Sequence, residues 1–211
     1  GRFGGPGALA PQGRHSTGSV ECGPLRFFRH PVPRPAVTAA PIPEIKPGQS
    51  IELLKELHIL TRDGKLNQDT RRKLKQVYHL YHFIEPLLDE VTAAPADPAG
   101  ADDAPARDFT LVDHGAGKSY LGFILYDLFF KSREVGRIVG IETRAELVEK
   151  SRALAQRLEF ARMAFHALTV EESIDSPLLP GTVDVVTALH ACDTATDDAI
   201  RFGLAKEARF M

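Results

Sequence analysis

Apolar positions along the chain fall into two regimes. Before Ser50 they are scattered, with no helical or strand period long enough to bury a face. From Ser50 to Val91 they recur every three or four residues. Ser50 can cap a short helix with Leu53, Leu54, Leu57 and Leu60 on one side, and Asp63-Gly64 makes a turn. A second helix, starting near Asn67 or Asp69, aligns Leu74, Val77, Tyr81, Ile84, Leu88 and Val91 in one stripe, with a kink or break expected near Glu85 because Pro86 follows. Small residues, prolines and acids fill 93–107, which reads as a linker.

From Phe109 onward short apolar runs alternate with helical stretches. The spacing predicts a strand over roughly Phe109–Asp113 and a helix over Ser119–Lys131 that is apolar almost all round, so the sheet and the helix at 69–91 must both cover it. A second strand, Ile138–Glu142, precedes Thr143 and Glu146, which read as a capping box opening a helix with Leu147, Leu154 and Leu158 inward. A weaker strand at Met163–Ala167 and a buried strand at Val183–Leu189 follow. Thr194 or Thr196 then caps a helix through Leu204, and Arg209–Met211 resembles a fifth strand at its start. Strand alternating with helix predicts a parallel α/β sheet, Rossmann-like, built by right-handed crossovers and incomplete at its C-terminal side. The expected organisation is a disordered segment at 1–48, a helical extension at 49–92, the linker at 93–107 and a cofactor-binding domain at 108–211.

Composition narrows the class. Net charge −2, 43% hydrophobic and 26% charged residues describe a soluble globular protein. No run of eighteen apolar residues exists, so no membrane span is expected. Cys22 and Cys192 lie far apart and suggest no disulfide framework, which fits a cytoplasmic, reducing compartment. The segment before residue 48 is rich in Gly, Pro, Arg and Ala. It faintly resembles a transit peptide and is equally consistent with a fragment or an upstream extension. Arg71, Arg72, Lys73 and Lys75 form a basic strip that faces either RNA or solvent. His79 and His82 are expected on the surface. His190, Cys192 and Asp193 have no second ligand cluster at suitable spacing, so no metal is expected.

The chemistry concentrates at the turn after the first strand, where Asp113 is followed by Gly115, Ala116, Gly117 and Lys118. A phosphate loop of pattern G-x-x-x-x-G-K-S fails because Val112 stands where its first glycine belongs. The dinucleotide pattern G-x-G-x-x-G fails because Tyr120 stands at the third glycine. An acid at the strand tip would repel phosphate but attract an ammonium, directly or through water. A second strand ending in Glu142 offers two acceptor oxygens to a ribose diol. Together these point to S-adenosylmethionine.

These residues make the chain resemble class I S-adenosylmethionine-dependent methyltransferases. Asp113 to Leu121 follows D-x-G-x-G-K-x-x-L, and Leu189 to Asp197 follows L-H-A-C-x-x-x-T-D. Both patterns are similar to a subfamily that includes tRNA ribose methyltransferases and methyltransferase-like proteins. Arg72 to Val77 is similar to its K-x-x-Q-[IV] helix. The resemblance, over roughly 66–211, implies that Asp113, Gly115, Ala116, Gly117 and Lys118 surround the methionine and that Glu142 binds the ribose. It further implies that Leu168 and Thr169 border the adenine and that the segment from His190 to Asp193 forms the wall towards the substrate. His190 and Asp193 are then the candidate bases. The family fold continues past a fifth strand into an antiparallel pair, which this sequence does not reach. An RNA ribose hydroxyl is the leading acceptor, and a base, a protein side chain, or cofactor binding without catalysis are the alternatives. A dehydrogenase-like nucleotide domain is disfavoured by Tyr120.

Overall fold

The computed structural model describes residues 42–93, 109–133, 135–189 and 194–211. Helix α1 (Ile51–Glu56) is capped as its sequence predicts, the Ser50 hydroxyl oxygen accepting from the Leu53 amide at 3.1 Å. Helix α2 (Gln68–Ala93) buries Leu74, Val77, Tyr81, Leu88 and Val91. It runs through Pro86 without the expected break. The His82 carbonyl loses its intrahelical donor there, but His82 is exposed and water can serve it. The apolar stripe is buried on both sides of the proline, which favours continuing the helix.

Strand β1 (Thr110–His114) lies at the centre, parallel to β2 (Arg137–Glu142) on one side and β4 (Val185–Thr187) on the other, with β3 (Met163–Ala167) outside β2. Asp113 is level with Gly140 and Thr187, and Glu142 with Ala167. Strand β4 is shorter than its apolar run. At residue 184 the side chain turns inward, and its carboxylate accepts from the Thr110 amide at 2.9 Å. At the other edge of β4, Phe210 forms an isolated parallel bridge with Val185, and the Val186 amide donates to the Phe210 carbonyl.

Alternate strand residues feed two cores. Leu111, Ile138, Phe165 and Val185 join α1, α2, α3 (Tyr120–Leu125) and the π-helical turn Tyr126–Phe130 that extends α3 into α4 (Lys131–Arg133). Val112, Val139, Ile141 and Val186 pack with residues of α6 (Val170–Asp175) and α7 (Thr194–Ala205). Helix α5 (Ala145–Arg157) packs on β2 and β3. The nearly all-apolar helix is covered as expected, by the sheet and by α2, with Phe123, Phe129 and Phe130 buried. Its one acid, Asp127, is also buried. Its carboxylate accepts from the Ser50 amide at 2.9 and 3.1 Å and from Lys131 Nζ at 3.1 Å, which ties the start of α1 to this helix.

Among the described residues no helix is long and apolar enough to cross a membrane.

Gly140, in the middle of β2, lets the Phe165 ring and the glycine turn close over the sheet. A Cβ at this position would lie 2.5 Å from the Phe165 ring and 3.6 Å from Ala116 Cβ. Phe165 cannot easily yield, being buried and stacked on Phe123 at 5.6 Å. Gly140→Ala should therefore destabilise the fold by about 1–3 kcal/mol. Chemical denaturation checks this, and an unchanged midpoint would mean that the Phe165 ring has room to move.

Candidate functional site

The site is built on the turn from His114 to Tyr120. Gly115, Gly117 and Ser119 have φ of +64, +58 and +49, the left-handed region. A Cβ on Gly115 would meet nothing within 4 Å, so this glycine supplies conformation and open space rather than packing against the protein. The Ala116 amide docks the turn on β2 by donating to the Ile141 carbonyl at 2.9 Å.

Asp113 fixes the turn from below. It is 2% exposed, and its Oδ2 accepts from Ser119 Oγ at 2.9 Å while Oδ1 accepts from Thr187 Oγ1 at 3.0 Å. Burial pushes its carboxyl up to about 6, against the lowering effect of hydrogen bonds from Ser119, Thr187 and the Gly122 amide. Its carboxylate is thus engaged with the chain around it while it also lines the smaller of two cavities.

Glu142 closes the other side. Its Oε1 accepts from the Arg144 amide at 3.0 Å, Arg144 Nε at 2.9 Å and Thr143 Oγ1 at 3.3 Å. Its Oε2 accepts from the Gly117 amide at 2.8 Å and Arg144 Nη2 at 3.1 Å. Burial raises this carboxyl, but the Arg144 side chain, the two backbone amides and the Arg144 charge outweigh it and bring it down to about 2. The start of α5 is correspondingly served by Glu142. The expected Thr143–Glu146 capping box does not form, since Arg144 occupies the cap position without a side-chain cap bond. A capping box forms instead at α6, between Thr169 and Glu172.

Two cavities meet at this point. One, of about 390 Å³, is lined by His114, Glu142, Thr143, Leu168, Val170 and Asp198 among others. The second, of about 200 Å³, is lined by Asp113, Ala116, Gly117, Lys118, Tyr120 and Leu189 among others. Gly115 and Arg144 line both. The structure therefore brings together Asp113, Gly115, Ala116, Gly117, Lys118, Glu142 and Leu168. Thr169 lines neither cavity. Its hydroxyl accepts from the Glu172 amide at 3.3 Å and donates to Glu172 Oε2 at 3.1 Å. His190 and Asp193 lie outside the described residues, as does Cys192.

In the basic strip, Arg71 pairs with Glu44 at 3.1 Å, Arg72 stands 3.9 Å from Asp69, and Lys73 Nζ donates to the His58 carbonyl at 3.3 Å. Among the described residues no group of three or more His, Cys, Asp or Glu side chains is placed to hold a metal.

The residue that sequence reasoning missed is His114. It is 6% exposed and lines the larger cavity, and neither ring nitrogen has a hydrogen-bond partner among the described residues. Strand alternation was the available signal, because it puts residue 114 on the opposite face of β1 from Asp113.

The two acids give opposite pH dependences. Glu142 has a folded value near 2 against an ordinary 4.5, so the stability it contributes is full above about 4.5 and lost as pH falls towards 2. Asp113, near 6 against 3.8, opposes folding when ionised, and that penalty is relieved as pH falls from about 6 towards 3.8. Glu142→Gln should therefore flatten the loss of melting temperature between pH 4.5 and 2. An acid limb identical to that of the wild type would show that the Arg144 clasp does not form in solution.

With this geometry in hand, a family model described as a methyltransferase domain matches residues 72–211. No curated protein matches the chain. Among solved structures, it is similar to a magnesium protoporphyrin IX methyltransferase from Synechocystis PCC 6803 with bound S-adenosylmethionine (13% identity, 74% of this chain, 64% of that one, TM-score 0.43). It is also similar to an S-adenosylmethionine-dependent methyltransferase from Aquifex aeolicus (18% identity, 59% and 57%, TM-score 0.36) and to the YcgJ protein from Bacillus subtilis (17% identity, 57% and 44%, TM-score 0.36). The chain spans between 44% and 64% of the length of these three proteins. Because the family match covers well over half of its 211 residues, the chain belongs to this family of methyltransferase domains.

Proposed function

We propose that this chain binds S-adenosylmethionine across the two joined cavities and transfers the methyl group to RNA, at a ribose hydroxyl or a base. The observation that carries the reading is Glu142, a carboxylate at a strand end that lines the larger cavity and accepts from the Gly117 amide of an open glycine turn lining the smaller one. The ribose diol would be held by Glu142, the base would lie towards Leu168 and Val170, and the amino-acid end would lie along Gly115, Ala116, Gly117 and Lys118. The open space at Gly115, which a side chain would fill, fits such a ligand.

When bound, S-adenosylmethionine supplies a methyl on a positively charged sulfur, which an acceptor lone pair takes while the carbon–sulfur pair returns to sulfur. The protein's part is to position donor and acceptor in line. Asp113 and the Ala116–Ile141 bond hold the turn still, and Lys118, exposed at the rim, would meet the carboxylate end. His190 and Asp193 are the proposed acceptors of the proton that a hydroxyl nucleophile releases. RNA as acceptor is supported by the likeness of the two motifs to tRNA ribose methyltransferases. The basic strip adds little, because Arg71, Arg72 and Lys73 already have partners within the chain.

Ligand binding at Glu142 requires an exchange. A carboxylate has about four lone-pair positions, and Glu142 already receives five donors, two of them from the Arg144 guanidinium. The ribose hydroxyls must displace that guanidinium.

Glu142→Ala should weaken binding of S-adenosylhomocysteine about ten- to a hundredfold, since charge-assisted hydrogen bonds are worth about 1.5–3 kcal/mol. Arg144→Ala should tighten it severalfold by removing the competitor. Calorimetric titration of the folded variants checks both, and unchanged affinity in Glu142→Ala would overturn the ribose assignment. Incubation with methyl-labelled cofactor and total RNA, followed by nuclease digestion, should place the label on nucleosides. Label confined to protein would sink the choice of acceptor.

A further inference from the structure

We propose that the imidazole of His114 hydrogen-bonds the heteroaromatic base of the nucleoside bound in the larger cavity, and so sets which base this cavity accepts. The inference rests on the nucleoside reading of Glu142 and adds a residue to it.

His114 ends β1 on the face turned towards α7, where its ring lies 5.2 Å from the Phe202 ring at a 36° tilt. Phe202 is fully buried, so the imidazole has a fixed floor. Nδ1 and Nε2 are both shielded from solvent, and neither has a hydrogen-bond partner among the described residues. A neutral imidazole carries one donor and one acceptor. Folding removes both from water, and buried polar groups left in that condition are rare enough to require an explanation. The cavity that His114 lines provides one, since a ligand there can meet an edge of the ring.

The walls indicate what kind of ligand. Ile141, Leu168, Val170 and Ala195 present apolar surface, which suits a flat ring system. Among the described residues, the charged groups around the imidazole are the carboxylates of Asp198 on α7 and Glu142 on β2, with the Arg144 guanidinium at the rim. Two carboxylates disfavour an anion in this space. Burial lowers the His114 pKa, which Asp198 and Glu142 partly offset, so the ring stays neutral at physiological pH and keeps an acceptor as well as a donor. An uncharged aromatic ring with polar atoms on its edge satisfies the apolar walls and the orphaned imidazole together, and the ribose bound to Glu142 would place the base in this cavity.

The test uses the full chain, with S-adenosylhomocysteine and its 6-oxo analogue S-inosylhomocysteine as probes. His114→Phe keeps the ring and its packing on Phe202 but removes both nitrogens, and His114→Leu repeats the measurement in case the phenylalanine variant does not fold. Calorimetry should show S-adenosylhomocysteine binding weakened roughly tenfold. The wild type's preference between the two probes should collapse towards one, while the melting temperature without ligand is retained or raised. A substituted packing residue would change stability and would leave the preference between probes intact. If the wild type binds and Glu142→Ala weakens binding, but His114→Phe has the wild-type affinity and preference, the role of His114 is overturned and the nucleoside reading stands. If the wild type binds neither probe, the nucleoside reading falls and takes this inference with it.

Discussion

The buried carboxylate of Asp113 is the constraint on which the rest of the site depends. A carboxyl that is 2% exposed must find donors within the chain, and here they come from three places: Thr187 on β4, Ser119 at the entrance of α3, and the first turn of that helix at Gly122. Meeting this demand shapes the local backbone. Ser119 takes up a left-handed conformation that its residue type does not favour, and residue 122 must lack a side chain, because a Cβ there would lie 2.5 Å from Ser119 Oγ. The glycine turn is therefore held at both ends, by the strand it leaves and by the helix it enters. Between these ends Gly117 is presented so that its amide reaches Glu142 at 2.8 Å. The acid of the first strand thus determines how the acid of the second meets the turn.

Glu142 has the opposite character. Asp113 is sealed beneath the turn, whereas Glu142 lies at the cavity border and owes much of its low pKa to a side chain that is 60% exposed. An ion pair with one exposed partner contributes little to stability, because water and salt screen it. It does keep the carboxylate ionised and oriented at low cost. In the proposed complex two ribose hydroxyls would take the place of the Arg144 guanidinium on the same oxygens, and the released guanidinium, already 60% exposed, would be hydrated, so the nucleoside would gain affinity at Glu142 as well as from the surfaces on either side of it.

How far the sequence could be read follows from which interactions are local. The alternation of strand and helix, the acids at the two strand ends and the glycine turn between them all depend on neighbours in the chain, and their residue types announce them. Groups satisfied from a distance were not legible. Asp127 looked incidental in an apolar helix because its donor, the Ser50 amide, is seventy-seven positions away. The π-helical turn around it left no mark in the apolar spacing. Thr143 and Glu146 matched a capping pattern, but Glu142 lies one residue before Thr143 and offers a stronger, charged acceptor to the same backbone, so the cap formed elsewhere. The apolar run at 183–189 predicts one strand, yet the Asp184 side chain is held by the Thr110 amide and regular pairing is confined to Val185–Thr187. His114 belongs to neither glycine-turn nor strand-end pattern, and only strand alternation, which assigns it to the face opposite Asp113, marks it in the sequence.

Helices α1 and α2 share one continuous core with β1, β2 and the long helix after the glycine turn, so their apolar faces have no separate interior to fill. Polar contacts hold the two parts together: Asp127 receives the Ser50 amide, Lys131 donates to the Gly48 carbonyl at 2.8 Å, and Arg157 on α5 pairs with Glu52 and Glu56 on α1 at 2.8 and 2.7 Å. The exposed ion pairs contribute little. The bond to Asp127 matters more, because it satisfies a carboxylate that would otherwise be buried with only Lys131 for company. Since Asp127 sits on the continuation of α3, and α3 begins at the turn that Asp113 holds, the position of α1 is set by the helix that follows the glycine turn. The extension thus braces the back of the helix whose front end shapes the site.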